Sequence, residues 1–240
     1  MQFIKKILGL TPEWVITLTR PIVKALGIKH MYEHFYWKMG FKKYGEVLEN
    51  DRYEPIMLAM AEEETVDFLS GKIVADFGCG PRGSLSWAKS ALIRIGIDVL
   101  VDRYADSFAN VMKTHGMIYV KSTEKVIPIP SDFVDVMFTM NAIDHVDDFP
   151  TMCSEILRVL KPGGYLIGSF NLEEPLSFAE PQTLSVQDVQ SHLLDHLEVE
   201  SYRISRQGDE PDNEYAPFFE GNMSYEEGDE AFLWVKAKKT

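Results

Sequence analysis

The stretch Ile73-Val-Ala-Asp-Phe77-Gly78-Cys79-Gly80-Pro81-Arg82-Gly83-Ser84-Leu85 constrains this chain more than any other. The run from Ile73 to Phe77 is short, β-branched and mostly apolar, and reads as a buried strand. Three glycines and a proline follow, and a helical pattern starts near Ser84. Glycine lets a backbone approach a ligand with no Cβ in the way, and a helix start presents unpaired N–H groups. A strand that breaks into such a turn and re-enters a helix is a cradle for a small molecule.

The rest of the chain divides around this stretch. Residues 1–70 read as helices, an N-terminal cap or lid, and residues 71–240 as the ligand-binding domain. Thr11-Pro12-Glu13 offers an N-cap, a proline at the first helical position and an acid in the first turn. Trp14, Val15, Leu18, Ile22, Val23 and Leu26 recur at helical spacing until Gly27 ends the run. A second helix is expected over 30–44, dense in aromatic residues, and a third over 53–69. From residue 72 the pattern alternates. Strands are expected at 72–77, 93–98, 117–121, 133–140, 164–170, 198–205 and 230–238, with helices at 84–91, 102–114, 148–160 and 186–195. This alternation predicts an α/β fold, a doubly wound seven-stranded sheet that is mainly parallel and covered on both faces. No crossover helix joins the last two strands, so the last strand is expected to be antiparallel. The acidic segment 209–230 reads as a surface flap, and 171–185 as a long loop where active-site loops of such folds lie.

Gly78-x-Gly80-x-x-Gly83 matches the dinucleotide fingerprint, and Asp98 stands where a ribose-binding acid belongs. Asp76, two residues before the first glycine, discriminates between ligands. A carboxylate at the strand end repels a pyrophosphate and favours an ammonium group. S-adenosylmethionine carries an amino-acid end and no phosphate. A nicotinamide oxidoreductase of the short-chain type also needs a Tyr followed four residues later by Lys, and no tyrosine here has one.

Three further motifs follow in order. Phe133-Val-Asp135-Val-Met-Phe138 reads as the fourth strand, Asn141-Ala-Ile-Asp144-His145-Val146 as the segment after it, and Leu157-Arg-Val-Leu160-Lys161-Pro162-Gly163-Gly164 as the turn into the fifth. With Asp76-Phe77-Gly78-Cys79-Gly80-Pro81 and Asp98, these resemble the class I S-adenosylmethionine-dependent methyltransferases over residues 72–240. The resemblance implies a Rossmann-like fold with S-adenosyl-L-methionine as cofactor. It implies cofactor contacts from Asp76, Gly78, Cys79, Gly80, Gly83, Asp98, Val99 and Asn141. In the family an acid after the third strand often holds the adenine amino group. Here the matching positions are Ser122, Thr123 and Glu124, a departure that leaves backbone groups or Glu124 for that contact. Within the family the motifs are similar to a subgroup of small-molecule enzymes linked to sugar and polysaccharide pathways.

If the acceptor is a hydroxyl, a base assists the transfer, and a histidine is the usual choice. His145 is the candidate, with Asp144 to orient it; a structural contact or a helix start accounts for both residues equally well. His34, Tyr36 and Trp37 in the cap, and Asn171 and Glu173 after the fifth strand, are the candidates for lining the acceptor. The aromatic group around Tyr36 is read first as packing. No metal site is expected: the two cysteines, Cys79 and Cys153, read as reduced thiols of a cytoplasmic protein.

Charge separates the regions further. The net charge of −13 argues against nucleic-acid binding. Before Glu46 stand eight basic and two acidic residues, so the first segment carries +6 and the remainder −19. No apolar run reaches the length of a membrane span, and no signal peptide is expected. Residues 1–45 are instead candidates for peripheral membrane contact or self-association. Two alternatives stand beside a methyltransferase: a non-catalytic cofactor-binding module that recruits a partner or membrane through the cap, and an NAD(P)-dependent oxidoreductase.

Overall fold

The computed structural model describes residues 13–44, 52–177, 180–208 and 214–240; Thr11 and Pro12 lie outside them. Helix α1 (Glu13–Ala25) is followed by Gly27 in the left-handed region (φ 62°), which turns the chain into α2 (Ile28–Tyr44). Helix α3 (Tyr53–Ala61) stops short of the expected residue 69. Glu62 takes a left-handed conformation (φ 55°) and donates its N–H to the Ala59 carbonyl, and the apolar pattern resumes only as a 3-10 turn, Val66–Leu69.

The seven strands stand where the sequence pattern puts them: β1 (Ile73–Phe77), β2 (Ile93–Asp98), β3 (Ile118–Lys121), β4 (Val134–Met140), β5 (Leu160–Leu172), β6 (Glu198–Arg206) and β7 (Ala231–Lys238). Their order in the sheet is β3-β2-β1-β4-β5-β7-β6. The first five are parallel, and β7 lies antiparallel between β5 and β6. The chain winds outward from β1 through β2 to β3, then returns to β4 on the other side of β1. This reversal opens a crevice at the carboxyl ends of β1 and β4, the point where open α/β sheets bind ligands.

Helices α4 (Val101–Met112), α5 (Phe149–Val159) and α6 (Val186–His192) follow β2, β4 and β5. Strand β7 shows how the sheet separates its faces. Leu233, Val235 and Ala237 join a core with Met152, Ile156 and Val189 of α5 and α6, while Phe232 and Trp234 turn to Met57 and Met60 of α3.

Two further expectations fail, one of them in part. Residues 84–91 form consecutive turns, with Ser86 N–H bonded to the Gly83 carbonyl and Ala88 N–H to the Leu85 carbonyl. Leu85 and Ala88 are fully buried, and the next strand begins at Ile93, so the segment is spent reaching β2 and has no length left for a helix. Of the expected flap 209–230, residues 209–213 lie outside the described residues, and residues 214–230 are a surface flap only in part: 219–230 are exposed apart from Tyr225, whereas 214–218 pack inward. The segment contains a short helix, α7 (Ala216–Phe219), whose buried Phe218 stacks on Trp234 with ring centroids 4.0 Å apart.

Trp234 anchors that face. It is fully buried, and its Nε1 donates to Ser205 Oγ at 2.8 Å. Trp234→Ala is expected to cost about 3–5 kcal/mol in denaturant unfolding. Trp234→Phe, which strands the Ser205 hydroxyl, is expected to cost about 1–3 kcal/mol. Equal losses for the two variants would show that the hydrogen bond, not the ring volume, carries the effect.

Candidate functional site

The crevice is a cavity of about 580 Å³, a size that suits a cofactor with a small acceptor. Its floor is the turn after β1. Gly78 and Gly80 hold positive φ (76° and 56°), and each is pressed by protein: a Cβ would come 2.1 Å from the Ala142 Cβ at Gly78 and 2.6 Å from the Trp37 ring at Gly80. At Gly83 (φ 70°) it would meet the His115 ring at 2.3 Å. The glycines thus admit the cap and the neighbouring loop to the turn. Gly78 lines the cavity; Gly80 lies under Trp37, and Gly83 packs away from the cavity.

Two buried carboxylates fix the turn. Asp98 accepts Gly80 N–H at 3.1 Å and Leu100 N–H at 2.8 Å. Asp76 accepts the Ser84 hydroxyl through Oδ2, while its Oδ1 is buried with no partner. Burial raises both acids. Asp76 is pushed up to about 7, with the Ser84 bond opposing and the Asp98 charge adding to the rise. Asp98 is raised to about 6 against the pull of its two N–H donors. Burial also raises Glu33, which lines the cavity from α2, and pushes the Cys79 thiol well up, so that cysteine is a neutral wall.

Val99, Ser122, Thr123 and Glu124 line the adjoining wall. Glu124 is committed to protein: Oε1 lies 3.0 Å from His30 Nε2, and Oε2 accepts Asp147 N–H at 3.2 Å. Burial would raise it, but His30, Lys29 and the Asp147 N–H bring it down to about 2. Asn141, in the left-handed region (φ 45°), is held by Ser169 Oγ on its Oδ1 at 2.6 Å and donates through Nδ2 to the Tyr215 hydroxyl at 2.9 Å.

His145 closes the far wall from a 3-10 turn, Ile143–His145. Its Nδ1 lies 2.6 Å from Glu180 Oε2, and its Nε2 lies 3.8 Å from Asp144 Oδ2. Asp144 is buried, and neither of its oxygens has a hydrogen bond. Burial disfavours the charged imidazole, yet Asp144 and Glu180 overcome that and push its pKa up to about 10. The three donor atoms lie within 4.8 Å of one another. The 2.6 Å contact between His145 and Glu180 is a short charge-assisted hydrogen bond.

Of the acceptor candidates, Tyr36, Trp37 and Asn171 line the cavity. His34 does not: it bonds Ser107 Oγ at 3.0 Å and packs against Tyr104 and Phe108, so it joins the cap to α4. Glu173 is also outside the lining. It takes a left-handed conformation (φ 55°) at the end of β5, and its neighbour Glu174 faces the cavity. Sequence reasoning missed Glu33, Tyr32 and Lys29. Their signal was helical spacing, since Lys29, Tyr32, Glu33, Tyr36 and Trp37 share one face of α2.

Residues 75–168 match a family model described as "Methyltransferase domain". That match to a methyltransferase domain supports the class I S-adenosylmethionine-dependent family. The ubiquinone biosynthesis O-methyltransferase of Xanthomonas oryzae pv. oryzae (strain PXO99A) is 30% identical over 118 residues, 46% of this chain and 48% of that protein. The phthiotriol/phenolphthiotriol dimycocerosates methyltransferase of Mycobacterium leprae (strain TN) is 30% identical over 101 residues, 41% of this chain and 37% of that protein. The chain therefore spans less than half the length of these two relatives. A solved S-adenosylmethionine-dependent methyltransferase from Mesorhizobium loti shares the fold, with a TM-score of 0.51 at 15% identity over 71% of this chain and 92% of that one.

The cavity fits this cofactor. Its acids exceed its bases, Asp76 Oδ1 has no partner, and a sulfonium with an amino group is a cation where a dinucleotide pyrophosphate is an anion. Where Asp76 and Asp98 hold the bound cation, binding is coupled to the loss of their protons. Affinity for S-adenosylmethionine is expected to weaken as pH falls through 7, by roughly tenfold or more at one to two units below it. Titration calorimetry in buffers of different ionisation enthalpy should show proton release near pH 6.5; pH-independent affinity would exclude these two acids.

Proposed function

We propose that this chain transfers a methyl group from S-adenosylmethionine to a hydroxyl oxygen of a small-molecule acceptor, with His145 as the base. The observation that carries the reading is the His145–Glu180 bond at 2.6 Å on the cavity wall. It fixes the ring by one nitrogen and leaves the other for a substrate proton. The name of the Xanthomonas relative, an O-methyltransferase, supports oxygen as the accepting atom.

When bound, the cofactor supplies an electrophilic methyl on a positively charged sulfur, so the protein's part is positioning, exclusion of water and proton removal. Asp76 and Asp98 hold the cationic and hydroxylated parts, and Val99 lies against the base. Tyr36, Trp37, Asn171 and Glu174 surround the acceptor. The hydroxyl proton passes to His145 Nε2. Glu180 holds the opposite N–H, and Asp144 faces the charge that develops on the ring. In the free protein the two carboxylates keep His145 protonated. A second cation in the cavity shares those carboxylates and lowers the histidine toward neutrality, where it serves as a base.

Calorimetry should show binding of S-adenosylmethionine and none of NAD; the reverse would overturn the proposal. His145→Ala should lower kcat by roughly 10²–10⁴-fold with cofactor affinity retained. Activity should rise with pH as His145 loses its proton. Glu180→Gln removes one of the charges that raise the His145 pKa, so the rising limb should move to lower pH as the maximal rate falls. A chelator should leave the rate unchanged, and loss of activity that a divalent ion restores would replace the relay with a metal.

A further inference from the structure

Helices α1 and α2 leave large apolar side chains uncovered, in an order that local packing does not require. In α1, Trp14, Leu18 and Ile22 follow one another at four-residue spacing and are 66%, 69% and 61% exposed. Pro21 and Ala25, also exposed, fall on the same face at 100° per residue, while Ile16 on the opposite face is buried. In α2, Met31, Phe35 and Met39 repeat the spacing and are again exposed. Lys38 and Lys42, both exposed, project within this second stripe. The opposite side of α2 carries Glu33 and Trp37, which line the cavity.

We propose that these two faces dock the protein on an anionic phospholipid surface. Single large side chains with a tryptophan at one end and lysines set among them match an interfacial helix, whose apolar side enters the headgroup boundary. Charge selects the occupant. Residues 13–44 hold six basic residues against Glu13 and Glu33; Lys24 and Lys29 pair with Asp147 and Glu124, and Glu33 is turned to the cavity, so the exposed Lys38 and Lys42 within the stripe carry the attraction. The remainder of the chain from residue 46 carries −19. An anionic surface attracts this face and repels the rest, so the protein can approach in one orientation. Among the described residues no helix is long and apolar enough to cross a membrane, so contact is with the surface. On the methyl-transfer reading, docking also sets Tyr36, which is 42% exposed and lines the cavity, between the bilayer and the site. An acceptor held in the membrane would enter there.

The test is co-sedimentation of the full chain with phosphatidylcholine vesicles, with and without phosphatidylglycerol, at low and high salt. The expected result is binding to the anionic vesicles alone, reversed by salt. Leu18→Glu with Ile22→Glu should reduce the bound fraction roughly tenfold or more. Lys38→Glu with Lys42→Glu should weaken binding to anionic vesicles alike. All four positions are exposed, so an unchanged Tm certifies the fold of each variant. No binding to anionic vesicles, or equal binding by Leu18→Glu/Ile22→Glu, overturns the proposal. So does a lipid-free dimer in sedimentation velocity that the same double variant abolishes, since a second copy would then cover the face. None of these readouts depends on methyl transfer, so the docking proposal and the catalytic one fail separately.

Discussion

The carboxylate of Asp98 accepts the N–H groups of both Gly80 and Leu100, and the geometry of the site depends on that pair of bonds. One ties the turn after β1 to the end of β2; the other starts the path into α4. With them in place the turn needs no helix behind it. Successive three-residue turns carry the chain to β2, and Ser84 is free to hold Asp76. Burying two acids this close together costs solvation, and the protein leaves one oxygen of Asp76 with no donor. An uncompensated buried carboxylate oxygen of this kind is suited to a ligand cation, which is the role proposed for it.

The contrast with Glu124 shows where the protein spends its own cations. Lys29 Nζ lies 4.0 Å from Glu124 and 3.9 Å from Asp147, it donates to the His145 carbonyl, and His30 bonds Glu124 directly. Lys24 pairs with Asp147 at 2.7 Å. These contacts latch the N-terminal helices onto the loops after β3 and β4, and they hold Glu124 ionised down to about pH 2. Asp76, Asp98, Asp144 and Glu33, which face or flank the cavity, have raised values instead. Basic residues thus serve attachment of the cap, and the cavity remains acidic.

The seven strands were legible because each is a short, β-branched run bounded by turn residues, and the sheet imposes its period of two. The glycine turn, Asp76 and Asp98 were legible because their spacing is local. Three things were not. The pattern at 84–91 has helical periodicity, but only the distance to β2 decides that it cannot wind. Glu62 carries no sign of its left-handed conformation, which ends the third helix at Ala61 short of the apolar pattern's reach. Glu180 meets His145 across 35 residues of sequence, through a loop whose course periodicity does not encode. Glu173 was the acid expected at the acceptor after β5, and with Glu173 in the left-handed region at the strand's end it is Glu174 that faces the cavity.

Helix α2 joins these observations, because its inward face is committed. Trp37 sits on Gly80 so closely that a single methyl at the glycine would collide with the ring, and the same tryptophan takes the Arg82 guanidinium at 5.4 Å from its centroid. Phe41 stacks on Phe108 of α4 at 4.0 Å, fixing the far end of the helix. An inward face this tightly registered cannot rotate to bury Met31, Phe35 and Met39. Their exposure therefore follows from the packing that builds the cavity wall. Whatever covers the outer face of α2 bears directly on a helix whose inner face is the wall of the site, and the two surfaces are separated by the width of one helix.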